Sequence, residues 1–472
     1  MSYYSPACFQ DAKKQEVRLG GRPAPEILAR MRAEGVEILG LGRANLPLLT
    51  LLPSLGIPIR TVRDRHPPKG DVAALLAGRD IACRFGDGYL HGLSARVLIR
   101  TPSLRPDLPA ILKSVARGAT VITEAALSLA LCPCDIFAVT GSDGKTTTAM
   151  MTAALLRRAG RRVHLGGNIG TPLAAYLSEM RRGDAAVVEL SSFQLFDLDP
   201  PFGRTAITNL TENHLDWHRD MEEYRAAKAR ILGGGVAVLP ADTSSFCAPS
   251  GAQGVIRFSG ATPPPDTSPL IFCRGNIVIL REEKGETPLF PCSAVTLPGR
   301  HHLANAMTAA ALTLGELSPC GIEEALSAFR GAPHRTECLG RVRGVLCYDS
   351  SIDTTPARTA TTLLGMKERP VVILGGRGKG VSFRPLAPSL AAHARAAVIT
   401  GECAEEIEEA IRGSVPYVMA ADFEEAVTLG LTMAEGGVLL LSPAATAYDR
   451  FTDYRERGRT FAAILEAQKS QK

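Results

Sequence analysis

The sequence predicts an α/β chain of several domains built on mostly parallel sheets. Three observations carry this expectation. Short apolar runs recur along the chain, with helix-patterned segments between them. Glycine-rich turns follow several of those runs, as at Gly40-Leu41-Gly42 and at Gly141-Ser142-Asp143-Gly144. The 472 residues also exceed what one hydrophobic core normally serves, so two or three domains are expected.

Composition sets the bounds. A charged fraction of 21% with 45% hydrophobic residues suits a soluble globule. The net charge of +5 is mild and no block of like charges occurs, which argues against a nucleic-acid partner. The start of the chain lacks a basic-then-apolar leader, and no apolar run reaches the ~18 residues of a membrane span. No membrane partner is expected. The 11 cysteines are scattered. The closest pair, Cys132 and Cys134, has no second pair to complete a zinc framework, and no disulfide scaffold emerges. A reducing, cytoplasmic setting is the expectation.

Taken in order, residues 1–33 are mixed and polar, and their role stays open. Residues 36–39 read as a strand running into Gly40-Leu41-Gly42-Arg43-Ala44-Asn45. This is close to a dinucleotide fingerprint, with Asn45 in place of the third glycine. Residues 59–62 read as the next strand, which leads to Asp64, where Rossmann units place a ligand-binding acid. The competing reading is a bare strand–helix turn. Residues 97–100 and 121–122 complete this region, with a boundary near Ala130.

Residues 136–139 read as a buried strand, followed by Gly141-Ser142-Asp143-Gly144-Lys145-Thr146-Thr147 and a helix over 149–159. Strand, glycine turn and helix N-terminus form an anion site. Lys145 would reach β- and γ-phosphates and Thr146 would ligate Mg²⁺. Val139 stands where the longer form of the motif has its first glycine. Residues 163–165 lead to a second glycine turn, Gly166-Gly167-Asn168-Ile169-Gly170. The strand 185–189 ends on Glu189, followed by Leu190-Ser191-Ser192-Phe193-Gln194. A carboxylate at a strand end beyond a phosphate loop suits Mg²⁺. Residues 205–209 lead to a polar cluster holding His214. A following helix carries Lys228, which by composition alone reads as a solvated helix face. Residues 234–295 read as further strands, with an exposed proline-rich loop at 262–269. A helix opening near Arg300-His301-His302 places Asn305 where it could reach an adenine edge or simply cap the helix.

A last α/β region begins near His334-Arg335-Thr336-Glu337. Strands at 345–348, 371–374, 397–400 and 438–441 alternate with helices at 405–412 and 423–433. Its strand-end loops carry Asp349-Ser350-Ser351, the glycine-rich 375–380 stretch with Lys379, and Ser442-Pro443-Ala444.

Together these stretches resemble one family over nearly the whole chain, the Mur ligases of peptidoglycan synthesis. The order Thr-Gly-Ser-Asp-Gly-Lys-Thr-Thr, Gly-Asn-Ile-Gly, Glu-Leu-Ser-Ser-Phe-Gln-Leu, Asn-Leu-Thr-Glu-Asn-His-Leu-Asp, Tyr-Arg-Ala-Ala-Lys, His-Arg-Thr-Glu, Leu-Gly-Gly-Arg-Gly-Lys and Leu-Ser-Pro-Ala carries the resemblance. It implies three domains. Residues 1–130 would form a Rossmann-like domain for the UDP substrate, preceded by an extension. Residues 131–332 would form a central P-loop ATPase-like domain, and residues 333–472 a C-terminal Rossmann-like domain for the incoming amino acid. The Glu-Leu-Ser-Ser-Phe-Gln motif points to the branch that joins D-glutamate to UDP-N-acetylmuramoyl-L-alanine through an acyl phosphate, with ATP and two Mg²⁺ ions. Other ATP-dependent amide ligases of the superfamily, including folylpolyglutamate synthases, and a non-catalytic nucleotide-binding regulator are the alternatives.

The resemblance also assigns residues. Gly141 to Thr147 would hold ATP, with Lys145 catalytic and Thr146 on Mg²⁺. Glu189 and His214 would be Mg²⁺ ligands, and His214 is also a candidate base. Lys228 matches a lysine that is carbamylated in the family, which makes it a metal-facing carboxylate. Asn305, Arg335 and Asp349 match adenine and ribose contacts. Asp64, Asn168, Ser191 and Gln194 fall on the UDP-substrate side, and Lys379 and Tyr454 fall where glutamate is held. A monomer is expected. Four departures stand out: Ser351 replaces a lysine, Ala447 a serine, His302 an asparagine, and Arg43-Ala44-Asn45 differs at the uracil loop.

Overall fold

Parallel strands cannot be joined by tight turns, so each apolar run needs a crossover segment before the next. The helix-patterned stretches supply it. The structure, a computed structural model, describes residues 18–79, 81–198, 202–233, 235–242, 246, 254–260 and 269–469. These divide into two units, one running to Ala294 and including Ala304–Leu326, the other formed by Val295–Leu303 with the residues from Ser327 onward.

The first unit opens with a short antiparallel pair, β1 (Arg18–Leu19) and β2 (Arg22–Pro23). The helix Ala24–Glu34 follows and buries Ala24, Ile27 and Met31. This part of the stretch left open by the sequence is thus packed; residues 1–17 lie outside the described residues. Next come β3 (Val36–Leu39), β4 (Ile59–Asp64), β5 (Ala82–Phe85), β6 (Val97–Arg100) and β7 (Thr120–Thr123), ordered β5-β4-β3-β6-β7 and all parallel. Both β3 and β6 are buried along their length, as central parallel strands should be.

A nine-stranded sheet follows in the same unit. Its strands are β8 (Asp135–Thr140), β9 (Val163–Gly167), β10 (Ala185–Glu189), β11 (Arg204–Ile207), β12 (Val236–Pro240), β13 (Gly254–Ser259), β14 (Leu270–Arg274), β15 (Ile277–Glu282) and β16 (Gly285–Pro291). The spatial order is β16-β15-β14-β13-β12-β11-β8-β10-β9. Pairing is parallel up to β14, and β15 and β16 join antiparallel. The strand order reverses beside β8, between β10 and β11. Ligand crevices of open α/β sheets form at such switch points, outside the carboxyl ends of the strands.

The second unit holds a sheet ordered β17-β18-β22-β19-β20-β21. Its strands are β17 (Glu337–Val342), β18 (Val345–Asp349), β19 (Val371–Gly375), β20 (Ala396–Thr400), β21 (Tyr417–Met419) and β22 (Val438–Leu441). Only the edge strand β17 runs antiparallel.

Several boundaries differ from the sequence reading. The helix after β8 spans Lys145–Arg158 and starts four residues earlier than expected. Gly144 is its N-cap at φ 75, a left-handed turn that lets the chain enter the helix at once. Strand β11 stops at Ile207, because Thr208 turns its hydroxyl to the Asp143 carbonyl at 2.5 Å. Strands β5, β17 and β21 escaped the sequence because they are short or polar edges without a continuous apolar run. The proline-rich stretch 262–268 lies outside the described residues. Among those described, no helix is long and apolar enough to cross a membrane.

Candidate functional site

The loop after β8 is fixed from β11. The Asn209 side-chain oxygen accepts from the amides of Ser142 and Asp143 at 3.1 and 2.8 Å. The Ser142 hydroxyl accepts from the Thr211 amide at 2.9 Å and lies 3.0 Å from the Tyr224 hydroxyl. Gly141 has φ 149, and a Cβ there would lie 1.9 Å from Thr208 Oγ1. A Cβ on Gly144 would lie 2.4 Å from Asn305 Oδ1. Only glycine fits at either position. Asn305 is therefore brought to the loop. The first-turn amides of an α-helix lack intrahelical acceptors, and the helix dipole adds positive potential there. Lys145, whose Nζ reaches the Ser142 carbonyl at 2.7 Å, adds a cation at the same point.

Glu189 closes the other side. It ends β10, beside β8, and is buried. Its Oε2 accepts from Thr146 Oγ1 at 2.7 Å, and its Oε1 from Asn168 Nδ2 at 2.8 Å. A hydroxyl from the first turn of the helix and a carboxylate from the adjacent strand end form an oxygen donor set, which fits Mg²⁺ rather than a thiolate-seeking ion.

Lys228 is not on a solvated face. It is 1% exposed, donates to the Gly141 carbonyl at 2.6 Å and lies 4.6 Å from the centre of the Tyr224 ring. Burial, helped by the nearby Lys145 charge, pushes its ammonium down to about 7. The structure thus corrects the composition-based reading, because the rest of the helix Met221–Ala229 carries enough polar surface to hide one buried cation.

His214 takes a left-handed backbone (φ 56) and sets its ring edge-on to Phe193 at 5.0 Å. The same aromatic group holds Trp217, 4.6 Å from Phe193, with the Arg105 guanidinium 4.8 Å from the Trp217 ring. Arg105 also pairs with Glu223 at 3.1 Å and Asp107 at 2.8 Å. Buried His218 bonds Ser192 Oγ at 2.9 Å. Ser191 and Gln194 form a capping box on the helix Ser192–Leu195, with the Gln194 amide donating to Ser191 Oγ at 3.3 Å and the Ser191 amide to Gln194 Oε1 at 3.0 Å.

The first sheet contributes a cleft of about 250 Å³ at the ends of β3, β4 and β6, lined by Gly40, Gly42, Asp64, Tyr89, Thr101 and Ser103 among others. Asp64 braces it by accepting from the Leu41 amide at 2.6 Å and the His66 amide at 2.9 Å. Arg43 reaches the Asn168 carbonyl at 2.7 Å, joining this loop to the nine-stranded sheet. Arg100, fully buried, donates to both Asp197 oxygens at 2.6 and 3.1 Å and to the Phe193 carbonyl at 3.3 Å.

In the second unit Asp349 ends β18 and is buried. Its Oδ2 bonds His334 Nδ1 at 2.7 Å, which raises the imidazole above its usual range. Its Oδ1 accepts from the Ser351 amide at 2.8 Å. Arg335 and Lys379 are exposed, and Lys379 Nζ donates to Thr354 Oγ1 at 3.0 Å. Buried His302, beside His301, is pushed down to about 3. Ser351, where the resemblance expects a lysine, has a cationic neighbour that sequence reasoning missed. Buried Arg457 donates through Nε to Ser351 Oγ at 3.0 Å and through Nη2 to the Ser351 and Ala445 carbonyls at 2.9 and 3.1 Å. Ser351 Oγ donates onward to the Tyr454 carbonyl at 2.8 Å. Asn209 and Tyr224 open two of the motifs that carry the resemblance but were given no role there, and Arg457 and Arg100 gave no sequence signal.

Comparison with known proteins gives the family. The Mur ligase middle-domain profile matches residues 139–313, and the Mur ligase glutamate ligase domain profile matches residues 334–445. A protein of Symbiobacterium thermophilum named UDP-N-acetylmuramoylalanine–D-glutamate ligase is 36% identical over 448 residues, covering 92% of this chain and 98% of its own. A protein of Acetivibrio thermocellus with the same name is 33% identical, covering 93% and 97%. The solved UDP-N-acetylmuramate-alanine ligase of Thermotoga maritima shares the fold with a TM-score of 0.54 at 18% identity, over 92% of this chain and 99% of that one. With profiles matching more than half of its length and relatives over 30% identical along nine-tenths of it, the chain belongs to the Mur ligase family.

Proposed function

We propose that this chain joins D-glutamate to UDP-N-acetylmuramoyl-L-alanine at the expense of ATP, a step of peptidoglycan precursor synthesis. The observation that carries this reading is the near full-length similarity to ligases of that printed name. The site fits the chemistry. A carboxylate is a poor electrophile, so its oxygen first attacks the γ-phosphorus of ATP, ADP leaves, and an acyl phosphate forms. The amine of D-glutamate then attacks the acyl carbon, and the tetrahedral adduct expels phosphate to leave an amide.

The phosphoryl transfer demands that crowded negative oxygens be held and neutralised. Gly141 to Thr147 supply the cradle and Lys145 the charge. Thr146, Glu189, His214 and Lys228 would hold Mg²⁺, the last as a carbamate formed when its neutral amine adds to CO₂ and releases a proton. When bound, Mg²⁺ screens the phosphate oxygens against one another. An ammonium depressed to about 7 leaves a neutral amine available for that addition near neutral pH. Asp64, Asn168, Ser191 and Gln194 serve the UDP-substrate side; Asn305, Arg335 and Asp349 serve adenosine; Lys379 and Tyr454 serve glutamate. The three-domain division at 130/131 and 332/333, a monomeric state and a cytoplasmic location belong to the same reading. No observation favours a folylpolyglutamate synthase-like or regulatory role.

The test is phosphate release from ATP with UDP-N-acetylmuramoyl-L-alanine and D-glutamate, L-glutamate or no amino acid. Release that requires D-glutamate is expected. Equal release with L-glutamate overturns the stereochemical assignment, and no release under any condition overturns the ligase reading.

A further inference from the structure

The Cys132-Pro133-Cys134 stretch gave no zinc pattern in the sequence because its partners are remote in the chain. The nine-stranded sheet brings them together. Cys132 and Cys134 precede β8, His164 is the second residue of β9, and Asp184 precedes β10. These three strands are neighbours in the order β8-β10-β9, so all four residues gather at their N-terminal ends. One ligand atom each from Cys134, His164 and Asp184 lies within 4.8 Å of the others, and all three residues are buried. Cys132 Sγ lies 3.8 Å from Met180 Sδ on the same side. The phosphate loop is at the opposite end of β8, six residues or roughly 20 Å away.

We propose that Cys132, Cys134, His164 and Asp184 form a structural zinc site. Zinc takes sulfur at about 2.3 Å and nitrogen or oxygen at about 2.0–2.2 Å, so the ligand atoms of a tetrahedron stand about 3.3–3.8 Å apart. Cys134, His164 and Asp184 are already near that spacing, and Cys132, now against Met180, would turn in to supply the fourth ligand. His164 Nε2 and Asp184 Oδ2, now 2.8 Å apart, need to separate by only about half an ångström. One outer contact of the kind such a site uses is in place, the Arg181 amide donating to Asp184 Oδ2 at 3.1 Å; the thiol of Cys134, 3.5 Å from the Arg181 carbonyl, gives up that bond with its proton on binding the ion. Thiolate and imidazole ligands separate this site from the oxygen donors around Glu189, so zinc and Mg²⁺ sort by chemistry. Closing three strand starts with one ion would brace the sheet beneath the phosphate loop.

The experiment uses the full chain, tag-free and stripped with a chelator. A Cys273→Ser/Cys292→Ser background removes the other close thiol pair, whose sulfurs are 3.1 Å apart. Titration with Co²⁺ should give thiolate-to-cobalt charge transfer and the intense visible bands of a tetrahedral ion at one equivalent. Zn²⁺ should displace it and excess Mg²⁺ should not. Cys134→Ser and His164→Gln should each weaken binding by about 100-fold or more, and Zn²⁺ should raise the melting temperature of the background protein but not of Cys132→Ser/Cys134→Ser. Should Cys134→Ser not fold, His164→Gln and Cys132→Ser report the same loss. A cobalt spectrum without tetrahedral or charge-transfer bands overturns the proposal, as does a spectrum that His164→Gln and Cys132→Ser leave unchanged.

Discussion

Lys228→Met should make the protein more stable while removing its activity. The wild-type ammonium falls from 10.5 in the unfolded chain to about 7 in the fold. At 1.36 kcal/mol per unit, holding the charge inside costs about 5 kcal/mol. Methionine keeps most of the volume but leaves the Gly141 carbonyl without its donor, which costs about 1–3 kcal/mol. The expected net gain at pH 7 is therefore about 2–4 kcal/mol. The sign with pH follows from proton counting. Between pH 7 and 10.5 the unfolded chain binds the proton and the folded one does not, so wild-type stability rises with pH across that window. The advantage of the variant should be constant below pH 7 and shrink above it. The single tryptophan, Trp217, lies in the same unit and reports its unfolding by fluorescence. Urea titrations in CO₂-free buffer from about pH 6.5 to about 9.5 measure both quantities. A variant no more stable than wild type at neutral pH, or a gap that does not change with pH, refutes the desolvation argument.

Three further outcomes are expected. Glu189→Gln should raise the Mg²⁺ concentration needed for half-maximal phosphate release at least about tenfold while leaving the melting temperature nearly unchanged, since the amide oxygen still accepts from Thr146 and the Asn168 side chain can turn its oxygen to the new NH₂; an unchanged Mg²⁺ dependence refutes it. Arg457→Met should lower the stability of the second unit by about 3–5 kcal/mol, because it strands the Ser351 and Ala445 carbonyls in a buried site; chemical denaturation followed by Tyr fluorescence or circular dichroism measures it. Arg100→Met should cost a similar ~3–5 kcal/mol by leaving Asp197 unpaired, and the double change Arg100→Met/Asp197→Leu should recover part of the loss.

What the sequence made legible follows from how local each signal is. The phosphate loop could be read because one continuous stretch encodes strand, glycine turn and helix start. Glu189 could be read because a buried apolar strand ends on it. Lys228 was misread from composition because its burial depends on Tyr224 and on the Gly141 carbonyl, which lies 87 residues away. The zinc-type cluster was invisible for the same reason: Cys134 and His164 meet only because β10 lies between β8 and β9. Arg457 meets Ser351 from a helix more than 100 residues downstream. Edge strands such as β5, whose four residues are all exposed, offer no apolar run to read.

Asn168 links these distant groups, and Gly167 fixes where it stands. Gly167 ends β9 at φ 93, a left-handed value, and a Cβ there would lie 2.3 Å from the Glu189 carbonyl. The backbone of this turn therefore presses directly on the strand that carries the proposed metal ligand. Asn168 then donates its amide to the Glu189 carbonyl at 2.8 Å and its side chain to Glu189 Oε1 at 2.8 Å, while its own carbonyl receives Arg43. One residue thus connects the loop of the first sheet, the carboxylate on β10 and, through Thr146, the phosphate loop. Gly167→Ala must push β9 from β10, and since the clash is with backbone no side-chain rotation relieves it. The expected result is a fold that melts only a few degrees lower, because the clash is confined to one strand end, but a Mg²⁺ requirement and a KM for the UDP substrate that rise together. Asn168→Ala, which removes the side-chain bond but not the backbone ones, should raise the Mg²⁺ requirement with a smaller effect on stability. If Gly167→Ala changed the UDP-substrate KM alone, the two sites would not share the Asn168 link.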